Sequence, residues 1–283
     1  MNDERKRNPR PSGGGGRGRP SGGDRRDRRD RPDRTDRPGQ RRPPRAGGAP
    51  RPEPEVRTED QQVYDGPPIP DDISAKDLDR QIRDQLRSLP EKLADRIAKH
   101  LIMAGLLIDE DPETAYRHAL AARARSQRSA VIREAVGETA YAAGKFAEAL
   151  AELRTARRLS GRQDHVPMMA DCERALGRPA KALEYDTPKA REELDQAGSI
   201  ELSIVIAGAR RDLGQLPAAL NILESEPLHS PTREDWLARL RYAYADTLEA
   251  AGRREDAVEW FHRTLAVDAN DVTDAEARLA ELA

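Results

Sequence analysis

The chain has 283 residues, of which 36% are hydrophobic and 35% are charged, and its formal net charge is −2. This hydrophobic fraction is low for a compact globule of that size and is typical of a thin solenoid joined to a disordered segment. The single cysteine, Cys172, excludes an intramolecular disulfide framework and cysteine-rich zinc sites.

The charge is distributed unevenly along the chain. Residues 1–57 hold 18 Lys/Arg and 9 Asp/Glu, a net charge of +9, so the remaining residues carry −11. A basic tail on an acidic body suggests an interaction tail, or a tail that folds back on its own body. The first residues contain no apolar signal segment, and no run approaches the roughly 18 apolar residues of a spanning helix. We therefore predict a cytoplasmic protein with no membrane partner.

Residues 1–62 contain no aromatic and almost no aliphatic side chain, and they are dense in Arg, Gly, Pro and Asp. Such a composition cannot offset the entropy lost on ordering, which predicts a disordered tail. Three roles for the tail stay open. Residues 1–57 could bind RNA or ribosomes weakly through phosphate contacts, solubilise or mask the acidic body, or dock on a specific protein.

A Pro-rich linker is predicted at residues 63–73, followed by a packing helix at residues 74–88. Ser74 and Asp77 have the spacing of a capping box at the start of this helix. Its apolar stripe is narrow, which predicts a helix that packs against, or caps, the element after it. The next helix begins near residue 91, where Pro90 suits a first turn.

One sequence pattern recurs from there to the C-terminus. Residues 137–161 are predicted to form two short helices joined by a turn at Gly144, with alanine early in the second helix. The pattern Gly-x-x-x-x-Ala-(Leu/Val) occurs four times, as the pairs Gly144 and Ala149, Gly177 and Ala182, Gly214 and Ala219, and Gly252 and Ala257. With Ala115 of an earlier copy that lacks the glycine, the alanines are spaced by 34, 33, 37 and 38 residues.

This pattern resembles the tetratricopeptide repeat, a helical hairpin of about 34 residues. The whole chain resembles actinobacterial tetratricopeptide proteins with Arg-rich N-terminal tails. The resemblance implies an all-α fold, an α-solenoid of about five hairpins over residues 91–283. The predicted repeats are residues 91–127, 130–161, 164–197, 199–226 and 232–268, with a cap helix at 272–282.

Two irregularities in the spacing have local explanations. Thr187 and Pro188 should end the second helix of the third repeat and start a short extra helix, which accounts for the 37-residue spacing. The loop with Pro227 and Pro231 accounts for the 38-residue spacing.

The sequence offers little support for catalysis. His165 lies seven residues before Cys172, two helical turns and about 10 Å away, so the pair is not a nucleophile and its base. The histidines lack metal-binding spacing, and the Gly13–Gly16 run lies in the tail with no strand or helix beside it. We predict no enzyme activity, no cofactor, no metal and no small-molecule substrate.

In the resembled family, the first helices of the hairpins line a concave surface that binds peptides. Aligning the repeats by their turn glycines places eleven residues there: His100, Leu107, Glu134, Glu138, Tyr141, Asp171, Arg174, Arg211, Tyr242, Asp246 and Glu249. Any one of them could instead belong to a merely solvated face.

Family members that hold a chaperone's C-terminal carboxylate use Lys, Asn and Arg at set positions. Those positions here hold other residues, so that activity is not expected: His100, Ala104, Ala135, Asp164 and Met168. The acids and tyrosines of the predicted face would favour a basic, partly apolar segment. The sequence therefore predicts a non-catalytic scaffold that binds a protein segment, with an RNA- or ribosome-associated protein as the alternative.

Overall fold

The computed structural model describes residues 59–282, and each regular element in that range is a helix. The first part holds α1 (Glu59–Asp65), α2 (Arg80–Leu86), α3 (Glu91–Leu107), α4 (Pro112–Arg125), α5 (Ala130–Ala142), α6 (Phe146–Ser160) and α7 (Val166–Ala175). The second part holds α8 (Pro179–Ala182), α9 (Pro188–Glu193), α10 (Gln196–Asp212), α11 (Leu216–Glu224), α12 (Asp235–Ala250), α13 (Arg254–Leu265) and α14 (Ala275–Leu282). Short 3₁₀ turns occupy Ala75–Asp77 and Leu183–Tyr185.

The helices pack as consecutive hairpins: α3 with α4, α5 with α6, α7 with α8, α10 with α11, and α12 with α13. Each hairpin also contacts its neighbours in the sequence, and the first helices α7, α10 and α12 pack on one another in order. Contacts restricted to adjacent repeats define a solenoid. The predicted all-α solenoid is confirmed. Within residues 59–282, no helix has the length and apolar content needed to cross a bilayer.

The turns inside four hairpins share one backbone conformation. The turn glycines have left-handed φ angles between 70° and 77°, a region that glycine enters without steric cost: Gly144, Gly177, Gly214 and Gly252. In the first of these turns, the N–H of Lys145 donates to the carbonyl of Ala140 at 2.8 Å, five residues back. The other three repeat this bond, which caps the first helix in a Schellman motif.

The repeated alanines sit where the helices meet. All five are fully buried: Ala115, Ala149, Ala182, Ala219 and Ala257. A methyl side chain lets two helix backbones approach closely, and a larger one would force them apart. The alanine spacing thus follows from close packing inside each hairpin.

The N-terminal boundaries differ from those predicted. Residues 1–58, most of the predicted tail, lie outside the described residues, and α1 spans the expected boundary between residues 62 and 63. The single helix expected at 74–88 is instead a 3₁₀ turn followed by α2. Ser74 and Asp77 do form a capping box, but Asp79 acts as a second N-cap, its carboxylate accepting from the N–H of Gln81 at 2.7 Å. A new helix therefore starts at Arg80.

Two later boundaries also shift by three residues. Helix α10 starts at Gln196 rather than 199 because the Asp195 carboxylate caps it, accepting from the N–H of Gly198 at 2.7 Å. Helix α14 starts at Ala275 rather than 272. There the carboxylate of Asp268 accepts the N–H groups of Val272 and Thr273 at 2.8 and 3.0 Å, which holds these residues in a turn.

The third hairpin is irregular in the way the sequence suggested. Its second helix, α8, has only four residues and passes into a 3₁₀ turn. The hydroxyl of Thr187 then accepts the N–H of Ala190 at 3.2 Å and starts α9, with Pro188 in its first turn. This short extra helix occupies the insertion.

Two glycine-to-alanine substitutions test the packing inside the hairpins. A Cβ at Gly137 in α5 would lie 2.5 Å from Cγ and Cδ2 of Leu153 in α6, whereas a Cβ at Gly105 in α3 would have no atom within 4 Å. We expect Gly137→Ala to lower the free energy of unfolding by about 1–3 kcal/mol. Gly105→Ala should raise it by up to about 1 kcal/mol, since alanine favours the helix. Chemical denaturation measures both, and equal stabilities would contradict the close α5–α6 contact.

Candidate functional site

Three cavities follow one another along the first helices of the hairpins, and we call them together the inner groove. Their volumes are about 460 Å³ (N-terminal cavity), 430 Å³ (middle cavity) and 400 Å³ (C-terminal cavity). Leu223 is the one lining residue that comes from a second helix. The groove is therefore a surface of the first helices and of the segments that flank them.

The N-terminal cavity lies between residues 77–82, α3 and α5. Its wall is apolar, and its polar side chains include four carboxylates and no lysine or arginine: Asp77, Asp79, Glu134 and Glu138. The two aspartates cap local turns, as described above. The carboxylate of Glu138 pairs with Nε2 of His165 at 2.7 Å. Burial opposes a charge on His165, but the hydrogen bond and charge of Glu138 outweigh it and raise the histidine's pKa.

The middle cavity lies among α5, α7, α10 and α12. The hydroxyl of Tyr141 donates to the carboxylate of Asp171 at 2.6 Å, and Arg174 donates to the same carboxylate at 2.9 Å. Burial and the bond to Asp171 raise the pKa of Tyr141, and Phe146 packs edge-on against its ring at 5.7 Å between ring centroids. The tyrosine is therefore held in one orientation.

The C-terminal cavity lies among α7, α10, α12 and residues 272–274. Arg174 reaches across from α7 and donates to Asp212 of α10 at 2.9 Å, and Arg211 of α10 pairs with Asp246 of α12. Burial, together with the carboxylate of Asp274, raises the pKa of Tyr242 to about 12. Ion pairs between successive first helices thus line the groove.

Eight of the eleven residues predicted to form the binding face line one of the three cavities: Glu134, Glu138, Tyr141, Asp171, Arg174, Arg211, Tyr242 and Asp246. Leu107 is half-buried and lines none of them. Glu249 does not line a cavity, because its carboxylate pairs with Arg278 of α14. Arg278 also binds Asp246 at 3.2 Å. The terminal helix therefore occupies the position that a ligand of Glu249 would need. Whether the eight lining residues bind a partner remains a prediction.

Sequence reasoning missed an ion pair that lies inside the groove. Glu201 of α10 and Arg239 of α12 line the middle cavity and pair at 2.6 Å, and Arg239 also lines the C-terminal cavity. Each lies thirteen residues before the turn glycine of its own hairpin. Extending the glycine alignment by one further helical turn would have found both.

The prediction for His100 was wrong. This side chain is fully buried, and its Nδ1 atom lies 3.0 Å from Nδ1 of His118 in α4, so it cannot face a ligand. The glycine alignment failed because the first hairpin turns without a glycine, through Ile108–Asp111. The α3 residues that line the N-terminal cavity are Leu101, Ile102, Ala104, Gly105 and Leu106.

Cys172 is fully buried in a hydrophobic cluster, and burial raises the pKa of its thiol to about 12. His165 is directed at Glu138 rather than at this thiol. Among residues 59–282, no cluster of three or more His, Cys, Asp or Glu side chains could hold a metal ion.

Comparison with solved structures reveals a distant likeness in fold. No protein-family model and no curated protein sequence matches the chain. The crystal structure of the APC/C hetero-tetramer Cut9-Hcn1 contains a similar chain, with 14% sequence identity and a TM-score of 0.36. The match covers 79% of this chain and 46% of that chain, so it spans less than half of the other chain's length. A likeness at this level says nothing about what the chain binds.

The buried histidine pair predicts how stability responds to acid. One ring must donate and the other accept in the Nδ1 contact, so a proton on both Nδ1 atoms destroys the bond. Burial lowers the pKa of His100 to about 3 and that of His118 to about 4. Since unfolded histidine titrates near 6.5, stability is full above that pH and is lost as the pH falls towards 4. The loss between pH 7 and pH 5 should be on the order of 1–2 kcal/mol for each histidine.

Denaturation of wild type and of the His100→Leu/His118→Leu variant at both pH values measures this loss. The variant should lose less stability than wild type on acidification. An equal loss of stability in both proteins would show that the pH dependence comes from groups other than these two histidines.

Proposed function

We propose that this protein is a non-catalytic scaffold that binds a segment of a partner protein in the inner groove. The observation that carries this proposal is the succession of three cavities along one face of the solenoid, each made by the first helices of adjacent hairpins. A row of cavities of this kind suits a linear segment, whose successive side chains enter successive cavities.

The polar contacts inside the groove favour recognition over catalysis. Asp171 is held by Tyr141 and Arg174, and Asp246 is held by Arg211 and Arg278. Groups fixed in this way present a rigid, pre-ordered surface, which lowers the entropy lost on binding. None of them forms a nucleophile–base pair, the arrangement that covalent catalysis requires.

Peptide selection followed by mutation tests this proposal. Peptides selected from a random display library on the full-length protein should bind Tyr141→Ala and Tyr242→Ala at least about tenfold more weakly, because truncating a well-packed aromatic anchor costs roughly 2 kcal/mol or more. Fluorescence anisotropy with the selected peptides gives the dissociation constants, and circular dichroism checks that the variants are folded.

Leu159→Ala is the matched control. This leucine is 49% exposed on the second helix α6 and lines none of the three cavities. Selected peptides should bind this variant as they bind wild type. Binding in the groove would be contradicted if the selected peptides bound both tyrosine variants as tightly as wild type, or if Leu159→Ala abolished their binding.

An RNA- or ribosome-associated function is the second candidate, and it is favoured only by the net charge of +9 over residues 1–57. Contacts between arginine and phosphate release counterions, so such binding weakens steeply with salt. We expect any RNA affinity of the full-length chain to fall at least about tenfold between 50 and 200 mM salt. Filter binding with a single-stranded RNA measures this fall. A salt-independent affinity, or the absence of binding at 50 mM salt, would remove this candidate.

A further inference from the structure

The N-terminal cavity contains a glycine that the fold itself does not require. Gly105 lies in the last turn of α3, lines the cavity, and would have open space around an added Cβ. The other glycines inside long helices differ: a Cβ at Gly137 would strike Leu153, and a Cβ at Gly208 would lie 2.6 Å from the guanidinium carbon of Arg174. Gly105 weakens its helix without a packing reason, and it leaves room for another chain's backbone to approach.

A second unexplained group lies in the same cavity. Among the described residues, the half-buried Glu134 has no hydrogen-bond or ion-pair partner, whereas the nearby Glu138 is held by His165. Burial raises the pKa of Glu134, and the nearby charges of His165 and Arg162 offset this effect only in part. A carboxylate in such a position is favourable for an incoming cation.

The apolar wall of the cavity indicates that the segment that brings the cation also carries apolar side chains. Leu106 is 60% exposed beside Gly105, and Ile82, Ile102 and Val131 are half-buried along the wall. A segment that carried only charge would leave this wall in water. Burial of aliphatic side chains there would add the hydrophobic contribution to affinity.

We propose that the N-terminal cavity is a subsite for a lysine or arginine of a partner protein, flanked in the partner by aliphatic residues, with Glu134 binding the cation. This inference rests on the proposed function and names the chemistry of its ligand. The partner's backbone passes over Gly105, and its aliphatic side chains cover Leu106 and Ile102. The other two cavities contain arginines paired with acids, so the cation preference is confined to this end of the groove.

The chain's own N-terminal tail is a poor occupant, although its charge is complementary. Met1 and Val56 are its only large aliphatic residues within positions 1–57, and it has no aromatic residue. Such a tail can neutralise Glu134 but cannot cover the apolar wall. A segment of another protein satisfies both features.

A charge swap tests the subsite. Peptides selected by display on the full-length protein are synthesised in matched pairs, with the enriched lysine or arginine either kept or replaced by glutamate. Wild type should prefer the basic member of each pair by about tenfold or more, since a hydrogen bond to a charged group contributes that much. Glu134→Lys should reverse the preference. Glu255→Lys, the same change at an exposed site on α13 with no ion-pair or hydrogen-bond partner among the described residues, should leave it unchanged.

Gly105→Leu provides an independent arm. It should weaken every selected peptide about tenfold or more by filling the space over α3, while thermal denaturation shows a folded protein. A synthetic peptide of residues 1–57, added in excess, should not displace the selected peptides. Displacement by that peptide would identify the tail as the occupant and would overturn the assignment to a partner protein.

The remaining outcomes separate this inference from the proposed function. Peptides that depend on Tyr242 but ignore both Glu134→Lys and Gly105→Leu would leave the groove as a binding site and overturn the basic subsite. Peptides that ignore every groove variant would overturn both.

Discussion

The structure depends on the close approach of two helices within each hairpin. This approach requires a small residue where the helices touch and a left-handed residue where the chain turns. The buried alanines, such as Ala149 and Ala182, meet the first requirement. The glycines at positive φ, such as Gly144 and Gly177, meet the second. Both requirements are met in four of the five hairpins, so these four share the geometry of the turn and of the helix contact beside it, and hairpins that share this geometry stack.

The groove is a consequence of that stacking. First helices lie beside first helices, so polar groups near their C-terminal ends meet from one hairpin to the next. Asp171 and Asp246 each accept bonds from two elements, and Arg174 joins α7 to α10. These contacts hold adjacent hairpins in register. They also pair most of the charged side chains of the middle and C-terminal cavities with a group of opposite charge. Glu134 differs from them, because its carboxylate has no hydrogen-bond or ion-pair partner within residues 59–282.

The two ends of the solenoid depart from the regular hairpin for different reasons. The first hairpin has no turn glycine, which changes the register of α3 and buries His100 against His118. At the other end, α14 covers the last hairpin and pairs Arg278 with Asp246 and Glu249. A helix with a polar outer face in this position covers the apolar side of the last hairpin. The N-terminal cavity differs from this end, because it combines an exposed apolar wall with a carboxylate, that of Glu134, that has no partner among the described residues.

Much of this could be predicted from the sequence, because the determinants of a repeated hairpin are local. Glycine at a left-handed turn and alanine at a helix contact are single-residue requirements, so their spacing alone predicts the solenoid. The same alignment places Tyr141, Arg174 and Tyr242 on one face, since residues at equal distances from a fixed turn share an orientation. The break in the third hairpin could also be predicted, because Thr187 and Pro188 favour the start of a new helix.

Only the tertiary structure decided which side chains on that face remain free. Pairing depends on residues from neighbouring hairpins, such as Arg278 with Glu249, whose distance in space does not follow from their spacing in the chain. The tertiary structure also decided which residues of α3 face the groove, since the first hairpin has no turn glycine by which to align that helix with the others. Local chemistry therefore determined the hairpins, and contacts between them determined the groove, because stacking brings together residues about thirty positions apart.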